Sequence, residues 1–451
     1  MGNASSRRKR YFAIATAAAL VVYYRNWYLA QRDTELVYSP RNQRIARILA
    51  RIETQLRSYL PPWWAPTSVL QLLTYGLVLA RPPRAVRVAR KVLAVPDRAY
   101  DYDKADSSQQ ESESEAENEN EGGSDVSFDW LLHRDDADGD GFGGEGPGDA
   151  RPIVVVIPTI TGKPRDYACL ALAARKRGYR CVAFNRRGHA GLRLRSARFN
   201  IMGDAHDCAR MVEALHNQYP KAFLALVGVS AGSGLVVRYC GEAGARARDK
   251  FNVGCAVSIS PGYNIADAFA VMDKDQPFYA RQIVAGIQRV FLRRNKDVLR
   301  AADSEAYDKA SRATSMVGFI EAAAPLMGAG DTNATRGLEQ YWKMSNPMEV
   351  AERIRVPTLV INAMDDPICL PSNVEAHQDL FDRPEMPGLL VKTKLGSHCA
   401  FRETVASSGG DGDVCGLSLG PEAGGDWSAR VALDFADAVR ATEGVEIHSQ
   451  P

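Results

Sequence analysis

The segment from Ala222 to Gly241 constrains this chain more than any other. An apolar run, Ala222-Phe223-Leu224-Ala225-Leu226-Val227, leads into Gly228-Val229-Ser230-Ala231-Gly232, and a stretch of helical character follows from Ser233. Strand, sharp turn and helix follow one another with a serine at the apex. A serine hydroxyl is a weak nucleophile and must be displayed where a base can reach it. The glycines on either side are needed where strand and helix converge too closely for a Cβ atom. A second match to the same pattern, Gly416 to Gly420, follows the loop-like Ser407 to Asp413 and runs into Pro421 and Gly424-Gly425. No strand precedes it and no helix follows, so Ser418 reads as a surface-loop residue and Ser230 as the candidate nucleophile.

The rest of the chain supplies a frame for such a turn. Apolar strands are predicted at 125–132, 153–157, 181–184, 253–260, 358–362 and 389–393, with helices at 167–177 and 204–219. Near-continuous apolar strands alternating with helices describe a mostly parallel sheet covered on both faces. Between Gly262 and Arg353 the pattern is helical throughout, which suits a cap inserted over the carboxyl edge of the sheet. The fold class is therefore α/β, a mostly parallel central sheet with helices on both faces and a helical cap.

If Ser230 is the nucleophile, an acid and then a base should follow it, each after a later strand. Downstream histidines are His377, His398 and His448. His377 falls in a helical stretch and His448 in the tail, whereas His398 stands just after the last apolar strand, where a loop can return to the serine. The acid candidates are Asp365 and Asp366, after the strand at 358–362. Asp366, next to Pro367, is the preferred partner of His398, with Asp365 as the alternative. A tetrahedral intermediate also needs backbone N–H donors. Ala231, directly after the serine, supplies one, and Ile160, in the loop after the strand at 153–157, supplies the other.

At 451 residues, with 45% hydrophobic and 24% charged residues, the chain can bury a large core. Its near-neutral formal charge conceals an arginine-rich first hundred residues and an acidic stretch from Asp101 to Asp149. The basic end suits an anionic membrane surface, and no nucleic-acid partner is indicated. Eight cysteines, none in a C-x-x-C pair, read as reduced thiols. No metal site is expected, because the EF-hand-like opening Asp136-Ala137-Asp138-Gly139-Asp140-Gly141 has Pro147 at its twelfth position, where a bidentate Glu is required.

The expected organisation is a basic segment and membrane anchor at 1–30, an amphipathic and apolar lead-in at 31–100, an acidic disordered insert at 101–122, and the catalytic domain at 123–445 with its cap at about 262–353. Met1-Gly2-Asn3-Ala4-Ser5-Ser6 fits an N-myristoylation pattern. The apolar run Tyr11 to Tyr24, extended to Ala30 with Arg25 snorkelling, reaches roughly the 20 residues needed to span a bilayer. Ile45, Ile48, Leu49, Ile52 and Leu56 lie at helical spacing among arginines, for a membrane surface or for packing on the domain. The stretch from Pro61-Pro62-Trp63-Trp64 through Ala80 is a second membrane candidate, although Thr67, Gln71 and Thr74 equally suit a core or interfacial segment.

These residues resemble the YheT-like, embryogenesis-associated branch of the α/β-hydrolase superfamily, with its membrane-anchored lipid hydrolases. The matches are Arg151-Pro152, Thr161-Gly162, Gly178-Tyr179-Arg180, Phe184-Asn185-Arg186-Arg187-Gly188, Tyr219-Pro220, the Ser230 turn and Tyr239 to Gly244. They continue with Tyr341-Trp342, Ser345-Asn346-Pro347, Val356-Pro357-Thr358-Leu359, Asn362-Ala363 and Asp365-Asp366-Pro367, and in all cover roughly 55–440. The resemblance implies an α/β-hydrolase fold, no cofactor, and Ser230, Asp366 and His398 as the triad. It also implies a membrane location, the endoplasmic reticulum among the candidates, and lipid ester substrates, phospholipid or acylglycerol. Three positions depart from the family: Thr159 stands where Pro-Gly-Leu has its glycine, Ser397 replaces a glycine before His398, and Ala400-Phe401 replaces Gly-Phe.

The expected function is a membrane-associated serine hydrolase of carboxylic esters working through an acyl-enzyme. An acyltransferase on the same fold is the enzymatic alternative, although the H-x-x-x-x-D signature is absent after His398. A catalytically silent interaction module is the non-enzymatic one.

Overall fold

The computed structural model describes residues 2–79, 82–102, 123–136, 148–202, 204–327, 334–403 and 426–444. Nine strands form one sheet: β1 Thr34–Val37, β2 Val86–Pro96, β3 Gly123–His133, β4 Ile153–Ile157, β5 Arg180–Asn185, β6 Leu224–Val229, β7 Val253–Ile259, β8 Thr358–Ala363 and β9 Gly388–Thr393. Their order is β1-β9-β8-β7-β6-β4-β5-β3-β2. The six central strands β4 to β9 pair in parallel, whereas β1, β3 and β2 join antiparallel at the two edges.

The helices are α1 Gly2–Leu29, α2 Gln43–Leu56, α3 Ser68–Leu79, α4 Ala168–Lys176, α5 His206–Gln218, α6 Ala231–Ala243 and α7 Arg246–Asp249. Then come α8 Ile265–Asp275, α9 Pro277–Ile287, α10 Lys296–Ala302, α11 Ser304–Arg312, α12 Met316–Ala323, α13 Ala334–Ser345, α14 Pro371–Glu375 and α15 Trp427–Thr442.

Every residue of β4 to β9 is buried. The cause is coverage on both faces, with successive side chains going to opposite sides. Val154, Val156, Ala225 and Val227 pack with α2, α4 and α15. Their neighbours Val155, Ile157, Leu224 and Leu226 pack with α5 and α6. A third core, built from α8, α9 and α12 and including Phe291 and Phe319, lies in the helical segment after β7 and also holds Ala231 and, at its margin, Ile160. The sheet's carboxyl edge is thus closed over by this segment, as the sequence pattern predicts.

The first hundred residues add to the sheet and pack on it. The lead-in at 31–100 contributes β1 and β2 to the same sheet. The arginine-rich helix α2 turns Ile45, Ile48, Leu49, Ile52 and Leu56 inward, all buried against α15, so its apolar face packs on the domain. Among the described residues no helix is long and apolar enough to cross a membrane. The expected spanning anchor at 1–30 is therefore unsupported: α1 is 28 residues long, but Arg25 and Asn26 interrupt its apolar run. Seven cysteines lie among the described residues and all are free thiols. Residues 103–122 of the acidic insert expected at 101–122, residues 137–147 of the EF-hand-like loop, Cys415, Ser418 and His448 lie outside the described residues.

Candidate active site

Ser230 sits between β6 and α6 with φ 53° and ψ −119°. A non-glycine residue held there costs about 1–3 kcal/mol and persists only where the surroundings enforce it. The enforcement is visible. A Cβ on Gly232 would lie 2.0 Å from the Ile157 carbonyl oxygen, and one on Gly228 would lie 2.4 Å from the Gly232 carbonyl oxygen. The Ser230 amide donates to the Ile259 carbonyl oxygen at 2.9 Å, and its own carbonyl accepts from the Ser233 amide at 2.9 Å. The hydroxyl is left at the N-terminus of α6, half-buried.

His398 reaches that hydroxyl from the loop after β9. Its Nε2 lies 2.8 Å from Ser230 Oγ, and its Nδ1 lies 2.8 Å from Asp366 Oδ2. The loop bends through four positive φ angles, at Gly396 (147°), Ser397 (52°), Cys399 (61°) and Phe401 (25°). It is held by the Ser397 amide donating to Asp365 Oδ1 at 2.7 Å and by the Cys399 amide donating to Ser260 Oγ at 3.0 Å. Burial opposes a charge on His398, but the Asp366 carboxylate beside it outweighs burial and holds the imidazole pKa well above its usual value.

The two aspartates have different partners. Asp366 is buried and fully engaged, with Oδ1 accepting from the Ile368 and Cys369 amides at 2.8 and 2.9 Å and Oδ2 facing His398. Asp365 instead supports the backbone of the histidine loop, and its Oδ2 has no hydrogen-bond partner. Burial, reinforced by the Asp366 charge, pushes the Asp365 carboxyl up to about 6. The preferred and alternative acids are thereby separated by geometry: Asp366 touches His398, and Asp365 touches the chain that carries it. Asp366, His398 and Cys369 also bring one ligand atom each within 4.8 Å of one another. Those atoms are already committed, the carboxylate to the imidazole, the imidazole to Ser230, and Cys369 Sγ to the Ser260 carbonyl at 3.3 Å.

The loop after β4 is fixed from beneath. Thr159 donates its amide to the Tyr167 hydroxyl at 2.9 Å, so that amide is already used. The oxyanion pair expected from sequence is the next amide, Ile160, with the first amide of α6, Ala231; a helix leaves its first amides without intrahelical partners. Arg186, wholly buried, donates to the carbonyl oxygens of Pro158 at 3.2 Å, Thr159 at 2.7 Å and Ile201 at 2.9 Å. Burial pushes its guanidinium down to about 10. Sequence reasoning assigned Arg186 no role, although it stands inside the motif Phe184-Asn185-Arg186-Arg187-Gly188. The available signal was an arginine directly after a buried strand, where a charge must find acceptors.

Comparison with known proteins gives the family of the chain. The family model for Hydrolase_4, described as serine aminopeptidase S33, matches residues 148–396, more than half of the chain. The human protein ABHD15 is 30% identical over 251 residues, covering 55% of this chain and 50% of that protein. Human phospholipase ABHD3 is 24% identical over 63% of this chain and 65% of its own length. Zebrafish (Danio rerio) monoacylglycerol lipase ABHD2 is 26% identical over 59% of this chain and 58% of its own. In these three comparisons the chain spans from half to just under two thirds of the relative. The chain belongs to the Hydrolase_4 family, serine aminopeptidase S33, of the α/β-hydrolase superfamily.

Proposed function

We propose that this protein is a serine carboxylic ester hydrolase acting on lipid esters, phospholipid or acylglycerol, and that it belongs to the YheT-like branch of its superfamily. The observation that carries the reading is the continuous relay from Ser230 Oγ through His398 to Asp366, with 2.8 Å at each step. Ser230 Oγ attacks the ester carbonyl as His398 Nε2 takes its proton, and Asp366 holds the imidazole in the tautomer that leaves Nε2 free to do so. The amides of Ala231 and Ile160 stabilise the oxyanion. Collapse expels the alcohol, protonated by His398, and leaves an acyl-enzyme on Ser230. Water, deprotonated by the same imidazole, then releases the acid and restores the serine.

Lipid substrates are favoured by two relatives whose names are phospholipase and monoacylglycerol lipase. Acyl transfer is the weaker enzymatic reading: Glu403, the acid that follows His398, is engaged by Arg430 at 2.7 Å. Membrane association is proposed as peripheral contact rather than a spanning anchor.

The test is labelling with a fluorophosphonate probe, comparing the native chain with Ser230→Ala and Ser418→Ala. Labelling lost only in Ser230→Ala is the expected result. A native chain that resists the probe overturns the mechanism.

A further inference from the structure

Helix α3 is built inside out for a helix on a soluble protein. Its two most polar side chains face inward: Gln71 is wholly buried and accepts from the Tyr59 hydroxyl at 3.0 Å, and Thr74 is buried with its hydroxyl on the Leu70 carbonyl at 2.7 Å. The outward positions are apolar. Val69, Leu73 and Leu77, four residues apart and so on one face, are 56%, 60% and 55% exposed, and Leu70 flanks them at 42%. No charged residue occurs anywhere from Leu60 to Leu79. Single exposed leucines need no explanation, but an uncharged helix that turns its whole apolar stripe outward does.

The stripe continues onto a second element. The Tyr24 and Tyr28 hydroxyls of α1 donate to the carbonyls of Trp63 and Pro61, which brings the end of α1, with its exposed apolar residues 20–23 and Trp27, beside an exposed Trp63. The patch also adjoins the candidate active site: Ser68 Oγ, in the first turn of α3, lies 2.8 Å from Ser397 Oγ, the residue before His398.

We propose that the outer face of α3, with Trp63 and the end of α1, is a docking surface for a lipid bilayer with anionic headgroups. It would seat the leaflet beside the mouth of the Ser230 site. Charge selects this occupant. Arg25 and Arg32, in the stretch of chain that carries Tyr24, Trp27 and Tyr28, are exposed, and no acidic residue occurs from Leu20 to Arg32. An apolar strip with tryptophan and tyrosine at its margin and arginine around it matches the chemistry of a leaflet surface. A second copy would bring two such basic rims together, which like charges resist. The proposal rests on the ester-hydrolase reading only for what the docked site does, not for docking itself.

The test uses the full chain and vesicles of phosphatidylcholine, with and without phosphatidylserine. Three readouts are compared: flotation, hydrolysis of vesicle phospholipid, and hydrolysis of a soluble short-chain p-nitrophenyl ester. The triple variant Val69→Glu/Leu73→Glu/Leu77→Glu should weaken vesicle binding at least about tenfold and slow vesicle hydrolysis, while the soluble ester rate stays within about twofold. Arg25→Glu/Arg32→Glu should weaken binding only where phosphatidylserine is present. If the triple variant misfolds, Leu73→Cys carrying an environment-sensitive fluorophore gives the same answer, by a blue shift when vesicles are added. Unchanged flotation of the triple variant, no fluorophore shift, or a native dimer that the triple variant splits each overturns the proposal. Failure of the native chain to cleave the soluble ester counts against the ester-hydrolase reading alone, because flotation still decides docking.

Discussion

Replacing each of two adjacent aspartates by asparagine separates the roles their geometry assigns. Asp366 Oδ1 receives two amide protons, from Ile368 and Cys369, and Oδ2 faces His398 Nδ1. In Asp366→Asn the amide oxygen must stay on those two N–H donors, since turning the NH2 toward them would set donor against donor. The NH2 then faces Nδ1, which must become an acceptor, and the imidazole proton moves to Nε2. An Nε2–H pointing at Ser230 Oγ cannot take its proton. The expected loss in kcat is about 10⁴-fold, the scale that tautomer reversal produces in serine proteases, or about 5.5 kcal/mol of transition-state stabilisation. Asp365→Asn keeps an oxygen for the Ser397 amide and touches neither ring nitrogen, so its kcat should fall by less than about tenfold. The assay is kcat on a soluble ester together with the second-order rate of fluorophosphonate labelling. Near-native turnover in Asp366→Asn, or a collapse in Asp365→Asn with Asp366→Asn spared, refutes this assignment.

The same site makes four further predictions. Because Asp366 raises the His398 pKa, kcat/KM should climb with pH through an inflection above the ordinary histidine value near 6.5. In the residual activity of Asp366→Asn that inflection should fall, since burial is then left without its counterweight. Asp365, with its carboxyl raised from 3.8 to about 6, binds its proton more tightly folded than unfolded, so its contribution is full below pH 4 and is lost as pH rises through 6. Asp365→Asn should therefore gain stability relative to the native chain between pH 4 and 7, by no more than about 3 kcal/mol, read from denaturant or thermal melts across that range, and a pH-independent difference contradicts it. Arg186→Met strips the buried carbonyls of Pro158 and Ile201 of this donor, at about 1–3 kcal/mol each, and leaves the Thr159 carbonyl to the Gly162 amide; kcat should fall with Tm, and an unchanged kcat would mean that the loop after β4 does not supply the oxyanion donor. Gly232→Ala sets a Cβ 2.0 Å from the Ile157 carbonyl, so α6 must move from β4, with an expected loss of at least about 1–3 kcal/mol by thermal melting and a strong fall in labelling.

What could be read from the sequence was whatever one local pattern decides. The parallel strands announce themselves because burial on both faces makes every position of Val154, Val155 and Val156 apolar, and the Ser230 turn because only glycine fits at 228 and 232. His398 follows from its place after the last strand. The choice between Asp365 and Asp366 did not, because two neighbouring carboxyls differ only in what the folded loop turns toward them. The edge strands β1 and β2 were hidden for a related reason. Each pairs with a segment distant in sequence, Thr34 with Thr393 and Val86 with His133, and an arginine-bearing strand such as Val86–Pro96 lacks the apolar continuity of a central one.

Helix α3 shows how far a pattern reader can be misled by counting residue types without their direction. Thr67, Gln71 and Thr74 spoke in sequence for a core or interfacial segment, and a purely apolar span would have lacked them. In the fold, Gln71 and Thr74 face the protein, where the Tyr59 hydroxyl donates to Gln71 Oε1 and the Thr74 hydroxyl donates to the Leu70 carbonyl, and Val69, Leu73 and Leu77 face away. Turning Val69, Leu73 and Leu77 inward instead would give two polar groups to water and remove more than half of each of three apolar side chains from it, a gain of about 1 kcal/mol or more apiece. A helix that forgoes that gain next to Ser397 and His398 needs an apolar surface outside the protein to recover it, and the bilayer is where a lipid ester would be found.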